Sequence, residues 1–400
     1  TDYIQGILTI AFSFMLLPFI LWEVGGMTGV RETISSEAML SLVAPGKISW
    51  FFVIMMSLQA LVGIVAQPFI MGVCAAGKTE WEGRVGIVGG NLIKRVCTAA
   101  WSLTAIAAVA WYIQNGNDPS LLDAESLKQT GDRIYGEMAH TFLPRLAPGL
   151  LGLFLAALLA GVMSSCDSFM ISSAALFTEN IYKPLRSKRS DRHYVWVGRV
   201  ASVVVVAGGV AFAFWVPSVV KALEIWFMIA PMMGLVFWIG LFWRRMTVAG
   251  AWATTVTGFA AWWVSTQPWF INALGRIPDS ESLRLLWTEG GKTVVYMPWQ
   301  ILFYGLTASV VGVVVSLLTR RVSQDKLDRF YQLSRTPVQA GEEVLQPCTL
   351  PEDAPTVDRP MLLTTGGLEI PMPSRTSVIG FVTVWLLVGG IIGAFVWIVS

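Results

Sequence analysis

The sequence predicts an all-α protein that crosses a membrane several times. Only 14% of its 400 residues are charged, against roughly 25% in an ordinary soluble domain, while 54% are hydrophobic and the mean hydropathy is +0.62. Apolar windows of membrane-spanning length recur along the chain. Each is expected to be a helix, because lipid cannot satisfy backbone polar groups. These predicted transmembrane helices, about nine in number, cover residues 4–22, 49–74, 92–113, 148–177, 195–216, 219–243, 247–268, 296–319 and 378–399.

The composition excludes several classes of function. A net charge of +2 is too small to indicate a nucleic-acid partner. The four cysteines are scattered and there are only two histidines, so neither a disulfide framework nor a zinc site is predicted. Because no constellation of His, Cys or paired carboxylates suggests catalysis, the chain is not expected to be an enzyme and no cofactor is expected.

The connections between the apolar windows predict the orientation. Those at 75–95, 178–194 and 244–246, and the segment from 320 onward, are rich in Lys and Arg and alternate with poorer ones. The basic set is expected on the cytoplasmic side, which places Thr1 inside and Ser400 outside. The membrane is expected to be a bacterial inner (plasma) membrane.

Three regions are predicted along the chain. Residues 1–319 form a transmembrane core of eight spans, residues 320–377 form a cytoplasmic linker or tail, and residues 378–400 contain the final transmembrane helix. Within the tail, Leu327, Phe330 and Leu333 have helical spacing, whereas the Pro-, Gly- and Thr-rich residues 337–373 suggest a tether. Residues 132–142, in a long outer connection, are compatible with a short surface helix.

The window at 148–177 carries an unusual set of polar residues. On a helix, its Gly and Ser residues share one face, with an acid at the edge. They are Gly161, Ser164, Ser165, Ser168 and Ser172, with Asp167 beside them. Such oxygen atoms suit Na⁺, but small residues also let helices pack closely, and spacing alone favours packing. Asp167 favours a site, because a carboxylate at that depth costs at least about 2.5–3.5 kcal/mol unless it finds a partner.

Four stretches carry a family resemblance. The segment GLLGLFLAALLAGVMSSCDSFMISSAALFTENIYKPL resembles the signature helix of the sodium:solute symporters, which include sodium-coupled sugar, proline and sialic-acid transporters. The segments TDYIQG, AQPFIMGVCAAGK and LEIWFMIAPMMGLVFWIGLFWRRMTVAGAWATTVTG are similar to three further family motifs. The resemblance covers most of residues 1–265 at matching intervals.

The resemblance implies a leucine-transporter-like fold of two inverted five-helix repeats. The chain then looks like an N-terminally truncated member, with the last helix of the first repeat, all of the second repeat and three peripheral helices. Sodium is expected to bind the carbonyl oxygen of Gly161 and the hydroxyls of Ser164 and Ser165.

A second cation or proton site is implied near the cytoplasmic side. Its residues are Asp2, Asp167 and Ser168. Asp167 stands where the family has a serine, so it strengthens a cation site or binds a proton instead. Asp2 has the alternative role of a helix cap.

The residues expected to line the solute site are Gln59 and Gln67. Interhelical hydrogen bonding is an equally good interpretation of both. Val62 stands where sugar transporters have an aromatic gate, and Leu223 where they have a sugar-binding Gln. These replacements disfavour a sugar, which needs several hydrogen-bonding side chains.

The expected function is therefore sodium-coupled symport of a small organic solute, with Na⁺ as the coupling ion and the lipid bilayer as the surroundings. The alternative is a substrate-sensing membrane module that signals through a partner protein. The tail after Arg320 has no recognisable catalytic domain, which argues against the sensor.

Overall fold

The computed structural model describes residues 2–34, 40–43, 48–116, 124–216, 219–289, 291–337, 349–350 and 359–400. Within them the chain is almost entirely helical, with two small antiparallel β-hairpins. The helices are α1 (Asp2–Val24), α2 (Gly26–Thr33), α3 (Trp50–Gly63), α4 (Pro68–Ala75), α5 (Glu80–Gln114), α6 (Ala124–Leu146), α7 (Leu150–Leu176), α8 (Lys183–Leu185), α9 (Asp191–Trp215), α10 (Val219–Phe242), α11 (Val248–Ser265), α12 (Pro268–Gly275), α13 (Met297–Leu318), α14 (Gln324–Arg335) and α15 (Arg375–Val399). The strands are β1 (Leu286–Glu289), β2 (Lys292–Val295), β3 (Met361–Thr365) and β4 (Leu368–Pro371).

Seven helices in the described part of the chain are long and apolar enough to cross a membrane, and a bent pair makes an eighth if it counts as one span. The prediction of an all-α, multi-pass membrane protein is confirmed. The seven spans are Tyr3–Val24, Glu80–Gln114, Leu150–Leu185, Asp191–Trp215, Ala222–Phe242, Met297–Leu318 and Arg375–Val399. The predicted span at 247–268 forms helix α11. The Trp and Thr residues of α11 make it less hydropathic than the seven spans, so it is not one of them.

The predicted span at 49–74 is broken in two. Helix α3 ends at Gly63, a single 3₁₀ turn follows, and α4 begins at Pro68 with its axis bent by 66°. Pro68 has no N–H and disfavours the helical conformation in the residue before it. Gln67 accordingly has φ −101° and ψ 101°. The apolar composition of this window conceals the break.

The helices and hairpins belong to two compact units. The first comprises Thr1–Ala44, Val88–Ala222 and Thr383–Ser400. In it, α1 contacts both α6 and α7. Leu16, Ile20, Ala107 and Leu143 are fully buried there, and the ring of Phe12 meets that of Phe154 edge to face.

The second unit comprises Pro45–Ile87 and Leu223–Val382. Its closest helix pair is α11 and α13, which touch through small residues. A Cβ atom on Gly250 would lie 1.8 Å from Ser316 Oγ, and one on Gly312 would lie 1.9 Å from Thr254 Oγ1. Glycine is therefore required at both positions.

The tail also differs from its prediction. Helix α14 forms where Leu327, Phe330 and Leu333 predict it. The tether predicted over 337–373 instead contains the β3–β4 hairpin, while residues 338–348 and 351–358 lie outside the described part of the chain. Gly366 and Gly367 both have positive φ values, 60° and 82°, which suit a two-residue hairpin turn.

Candidate ion and solute site

The predicted sodium ligands lie together on α7, in the first unit. Ser165 Oγ donates a hydrogen bond to the Gly161 carbonyl at 3.1 Å, and Ser168 Oγ donates to the Ser164 carbonyl at 3.2 Å. Both bonds join residues four apart, the pattern in which a membrane helix satisfies its own serines. Ser164 is half-buried, whereas Ser165 and Ser168 are exposed. The face offers carbonyl and hydroxyl oxygens whose remaining lone pairs can coordinate a cation.

A residue that sequence reasoning missed faces this group. Helix α1 packs against α7, and Gln5 Nε2 lies 3.6 Å from the position that a Cβ atom on Gly161 would take. Gln5 is half-buried, and its own carbonyl accepts a hydrogen bond from Thr9 Oγ1 at 2.9 Å. The segment TDYIQG contains this glutamine, so the motif itself was the available signal.

The second predicted ion group is only partly described. Asp167 and Ser168 are exposed on α7. Asp2 opens α1, but its side chain lies outside the described part of the chain. The pairing of Asp2 with Asp167 therefore remains a prediction.

Helix α7 ends in a π-helical turn over Phe177–Tyr182 that the sequence did not predict. Such turns widen the backbone locally and often mark functional sites. Thr178 in this turn is buried, and among the described residues its hydroxyl has no hydrogen-bond partner. Tyr182 OH lies 2.9 Å from His193 Nε2, which ties the turn to the start of α9.

Gln59, a predicted solute-lining residue, lies in the second unit and is 2% exposed. Its Nε2 donates hydrogen bonds to the Phe227 carbonyl and, at 3.1 Å, to Tyr304 OH. Phe227 is four residues before Pro231, whose missing N–H leaves this carbonyl without its helical partner. Gln59 therefore satisfies a carbonyl that a proline has freed inside α10.

The other end of the Gln59 amide has a different environment. Its Oε1 is buried and has no hydrogen-bond partner among the described residues. A buried acceptor of this kind is costly unless a ligand or water satisfies it. One half of the side chain thus joins α3 to α10, and the other half can accept a hydrogen bond.

Gln67 lies at the break between α3 and α4 and is half-buried. Its carbonyl accepts hydrogen bonds from Ile70 N at 3.1 Å and Met71 N at 3.2 Å. Interrupted helices present unpaired backbone groups at membrane depth, and transporters use such breaks to hold solutes and ions. The break is a second feature, after the π-helical turn, that the apolar pattern did not predict.

Val62 and Leu223, the two residues that disfavour a sugar, lie on α3 and α10, respectively. The Val62 carbonyl lies against α10, where a Cβ atom on Gly234 would be 2.0 Å from it. Leu223 is half exposed near the start of α10. Neither side chain can donate or accept a hydrogen bond.

Several known transporters are similar in sequence to this chain. The chain is similar to the sodium/proline symporter of Salmonella typhimurium, 28% identical over 64% of this chain and 50% of the relative. It is 26% identical to the high-affinity proline transporter PutP of Bacillus subtilis, over 82% of this chain and 63% of the relative. It is 28% identical to the sodium/glucose cotransporter 1 of Oryctolagus cuniculus, over 55% of this chain and 34% of the relative.

The chain spans about half the length of the curated sodium/proline symporters that it matches over the same region. The relatives named here are transporters rather than enzymes. A family model described as the sodium:solute symporter family matches residues 1–258, which include α7, the broken helix and α10. With that match over more than half of its residues, the chain belongs to the sodium:solute symporter family.

Proposed function

We propose that the whole protein is a sodium-coupled symporter that carries a small organic solute by alternating access. The observation that carries the proposal is the oxygen-bearing face of α7 in a member of this family. The carbonyl of Gly161 and the hydroxyls of Ser164 and Ser165 bind Na⁺, the coupling ion.

Sodium binding changes the conformational equilibrium in this proposal. A ligand shifts such an equilibrium only when its affinity differs between the two states. Na⁺ on α7 stabilises the outward-facing state, and its loss toward the cytoplasm releases the solute. Asp2, Asp167 and Ser168 form a second cation or proton site on that path.

The solute is bound at the broken helix in the second unit. Gln67 lines the site at the break, and Gln59 contributes its Oε1, since its Nε2 is already engaged. Val62 and Leu223 disfavour a sugar. Proline is the first solute to test, because the named relative that covers most of this chain is a proline transporter.

We further propose that the protein lies in a bacterial inner membrane with Thr1 in the cytoplasm and Ser400 outside. The basic connections at 178–194 and 244–246, which follow α7 and α10, support this orientation.

The experiment that tests the function is uptake of radiolabelled proline by the whole protein in liposomes under an inward sodium gradient. Removal of two hydroxyl ligands in the variant Ser164→Ala with Ser165→Ala is expected to lower sodium affinity about tenfold or more, which corresponds to about 1.4 kcal/mol or more of binding free energy. Unchanged sodium dependence would sink the assignment of these ligands.

The matched control is Ser202→Ala on α9. Ser202 Oγ donates to the Gly198 carbonyl at 3.0 Å, which repeats the Gly161–Ser165 arrangement outside the proposed site. This variant is expected to retain normal sodium dependence. If proline is not carried, the same gradient with other labelled amino acids and with glucose identifies the solute class.

A further inference from the structure

The tail folds back onto the end of α10 in the second unit. We name the contacting elements, helix α14 and the β3–β4 hairpin, the tail clasp. They meet the turn that joins α10 to α11. Arg244 N donates to the Gly367 carbonyl at 2.8 Å, Trp243 Nε1 donates to the Gly366 carbonyl at 3.3 Å, and Trp243 pairs with Leu368 in an antiparallel bridge.

A charged group closes the same contact. Glu369 lies between two arginines, with Oε1 2.8 Å from Arg244 Nε and Oε2 2.6 Å from Arg335 Nη2. All three side chains are between 18% and 23% exposed. Arg244 Nη1 also meets the more exposed Asp328 at 2.6 Å. Arg244, two residues after the end of α10, is thus bound by both parts of the tail clasp.

Tyr331 anchors the clasp to α10 itself. Its ring is 2% exposed, and the guanidinium groups of Arg244 and Arg335 each lie 4.8 Å from the ring centroid. Its hydroxyl donates to the Gly240 carbonyl at 2.8 Å. Gly240 belongs to the last turn of α10, where carbonyls have no helical N–H partner.

Helix α10 leads from this contact to the broken helix. Gly234 touches the backbone of Val62, and the Phe227 carbonyl accepts a hydrogen bond from Gln59. Val62 and Gln59 both belong to α3. A contiguous path of direct contacts therefore runs from Glu369 through Arg244 and α10 to the helix that ends at the break.

We propose that Glu369 is a positioning residue of the transport cycle: the tail clasp fixes the end of α10 and thereby biases the conformational equilibrium that sodium shifts. This inference rests on the proposed function. The tail is then a working part of the transporter, since α10 cannot change its position at that end without carrying the hairpin or releasing it.

The test needs no knowledge of the solute, because the exposed Cys166 lies next to Ser165. In the whole protein with Cys74, Cys97 and Cys348 changed to serine, a maleimide reports on α7, and sodium is expected to slow its reaction with Cys166. The measured quantity is the sodium concentration that gives half of this protection.

Two opposite changes are made to the clasp. Glu369→Gln removes the charge that holds Arg244 and Arg335, whereas a disulfide between Trp243→Cys and Leu368→Cys locks the hairpin in place after oxidation. Directly opposed antiparallel residues have Cα separations suited to a disulfide. The two changes are expected to shift the half-protecting sodium concentration in opposite directions, each by about threefold or more.

The control is Asp325→Asn, which removes an exposed acid from α14 and should shift nothing. A purely structural role predicts less folded protein after Glu369→Gln but the same half-protecting concentration, and it predicts no effect of the lock. That result, or shifts in the same direction, overturns the inference while the proposed function stands. A complete lack of sodium protection in the unlocked parent overturns the proposed function, and this inference with it.

Discussion

The face of α7 and the contact between α11 and α13 use the same residue types in opposite ways. At the contact, Gly250 and Gly312 are buried against Ser316 and Thr254, both 0% exposed. On α7, Ser165 is exposed, and a Cβ atom on Gly161 would meet only the end of Gln5 among the described residues. Small polar residues thus serve packing where a neighbouring helix fills the groove, and on α7 their oxygens stay open, as the proposed sodium site requires.

The largest expected effect is the loss of close packing between α11 and α13. In Gly250→Ala the new Cβ atom meets Ser316 Oγ and the Gly312 carbonyl, so α11 and α13 must separate. Overpacking of this kind costs about 1–3 kcal/mol. Thermal unfolding of the purified protein in detergent should therefore shift to lower temperature.

Two alanine variants sharpen the result. Gly305 on α13 has no atom within 4 Å of an added Cβ among the described residues, so Gly305→Ala should leave stability unchanged or raise it. Gly161→Ala should leave the protein folded and keep its sodium response, since the carbonyl remains. Equal loss of stability in all three variants would contradict the comparison.

An effect of comparable size is expected where α3 meets α10. Gln59→Leu leaves the part-buried Phe227 carbonyl without a donor, which costs about 1–3 kcal/mol. Pro231→Ala supplies the missing helical N–H, so it should recover part of the loss in the double variant. Unfolding of the four proteins measures this coupling, and purely additive effects would show that Gln59 does not act through that carbonyl.

The smallest effect concerns pH at the tail clasp. Burial alone would raise the pKa of Glu369, but hydrogen bonding and attraction by Arg335 and Arg244 outweigh it and hold this pKa below its usual value of 4.5. A lowered pKa means that the carboxylate stabilises docking fully above the ordinary value. This contribution is lost as the pH falls through the lowered one.

Hydrogen exchange of the β3–β4 amides checks this expectation. Protection should be constant from neutral pH down to about pH 5, after correction for the intrinsic exchange rate, and should weaken below the ordinary carboxyl pKa. Asp328 and Tyr331 also face the arginines; burial raises the pKa of Tyr331, so it stays neutral throughout. Glu369→Gln should remove the acid dependence, and its persistence would assign it to another acid such as Asp328.

Local patterns predicted much of the fold and of α7. The spans at 148–177 and 195–216 became α7 with its terminal turns and α9, because their apolar runs are long and uninterrupted. The break before Pro68 was missed because the window around it is apolar on both sides. The hairpin was missed because its Gly366–Gly367 turn lies in a segment whose Pro and Thr content suggests a tether.

The role of Gln59 could not be read from nearby residues at all. Its partner Phe227 is 168 residues away, and the reason for the contact is a proline four residues further on. Spacing within one helix predicts which side chains share a face, but it carries no information on which distant carbonyl lacks a donor.

The contact between Gln59 and the Phe227 carbonyl also has an evolutionary consequence. A relative with any residue other than proline at the position of Pro231 restores the helical N–H, and its position 59 no longer has to supply a donor. The two positions should therefore covary among sodium:solute symporters. Lineages that lose this proline are free to recruit position 59 entirely for solute recognition, so a change of specificity can begin in a neighbouring helix.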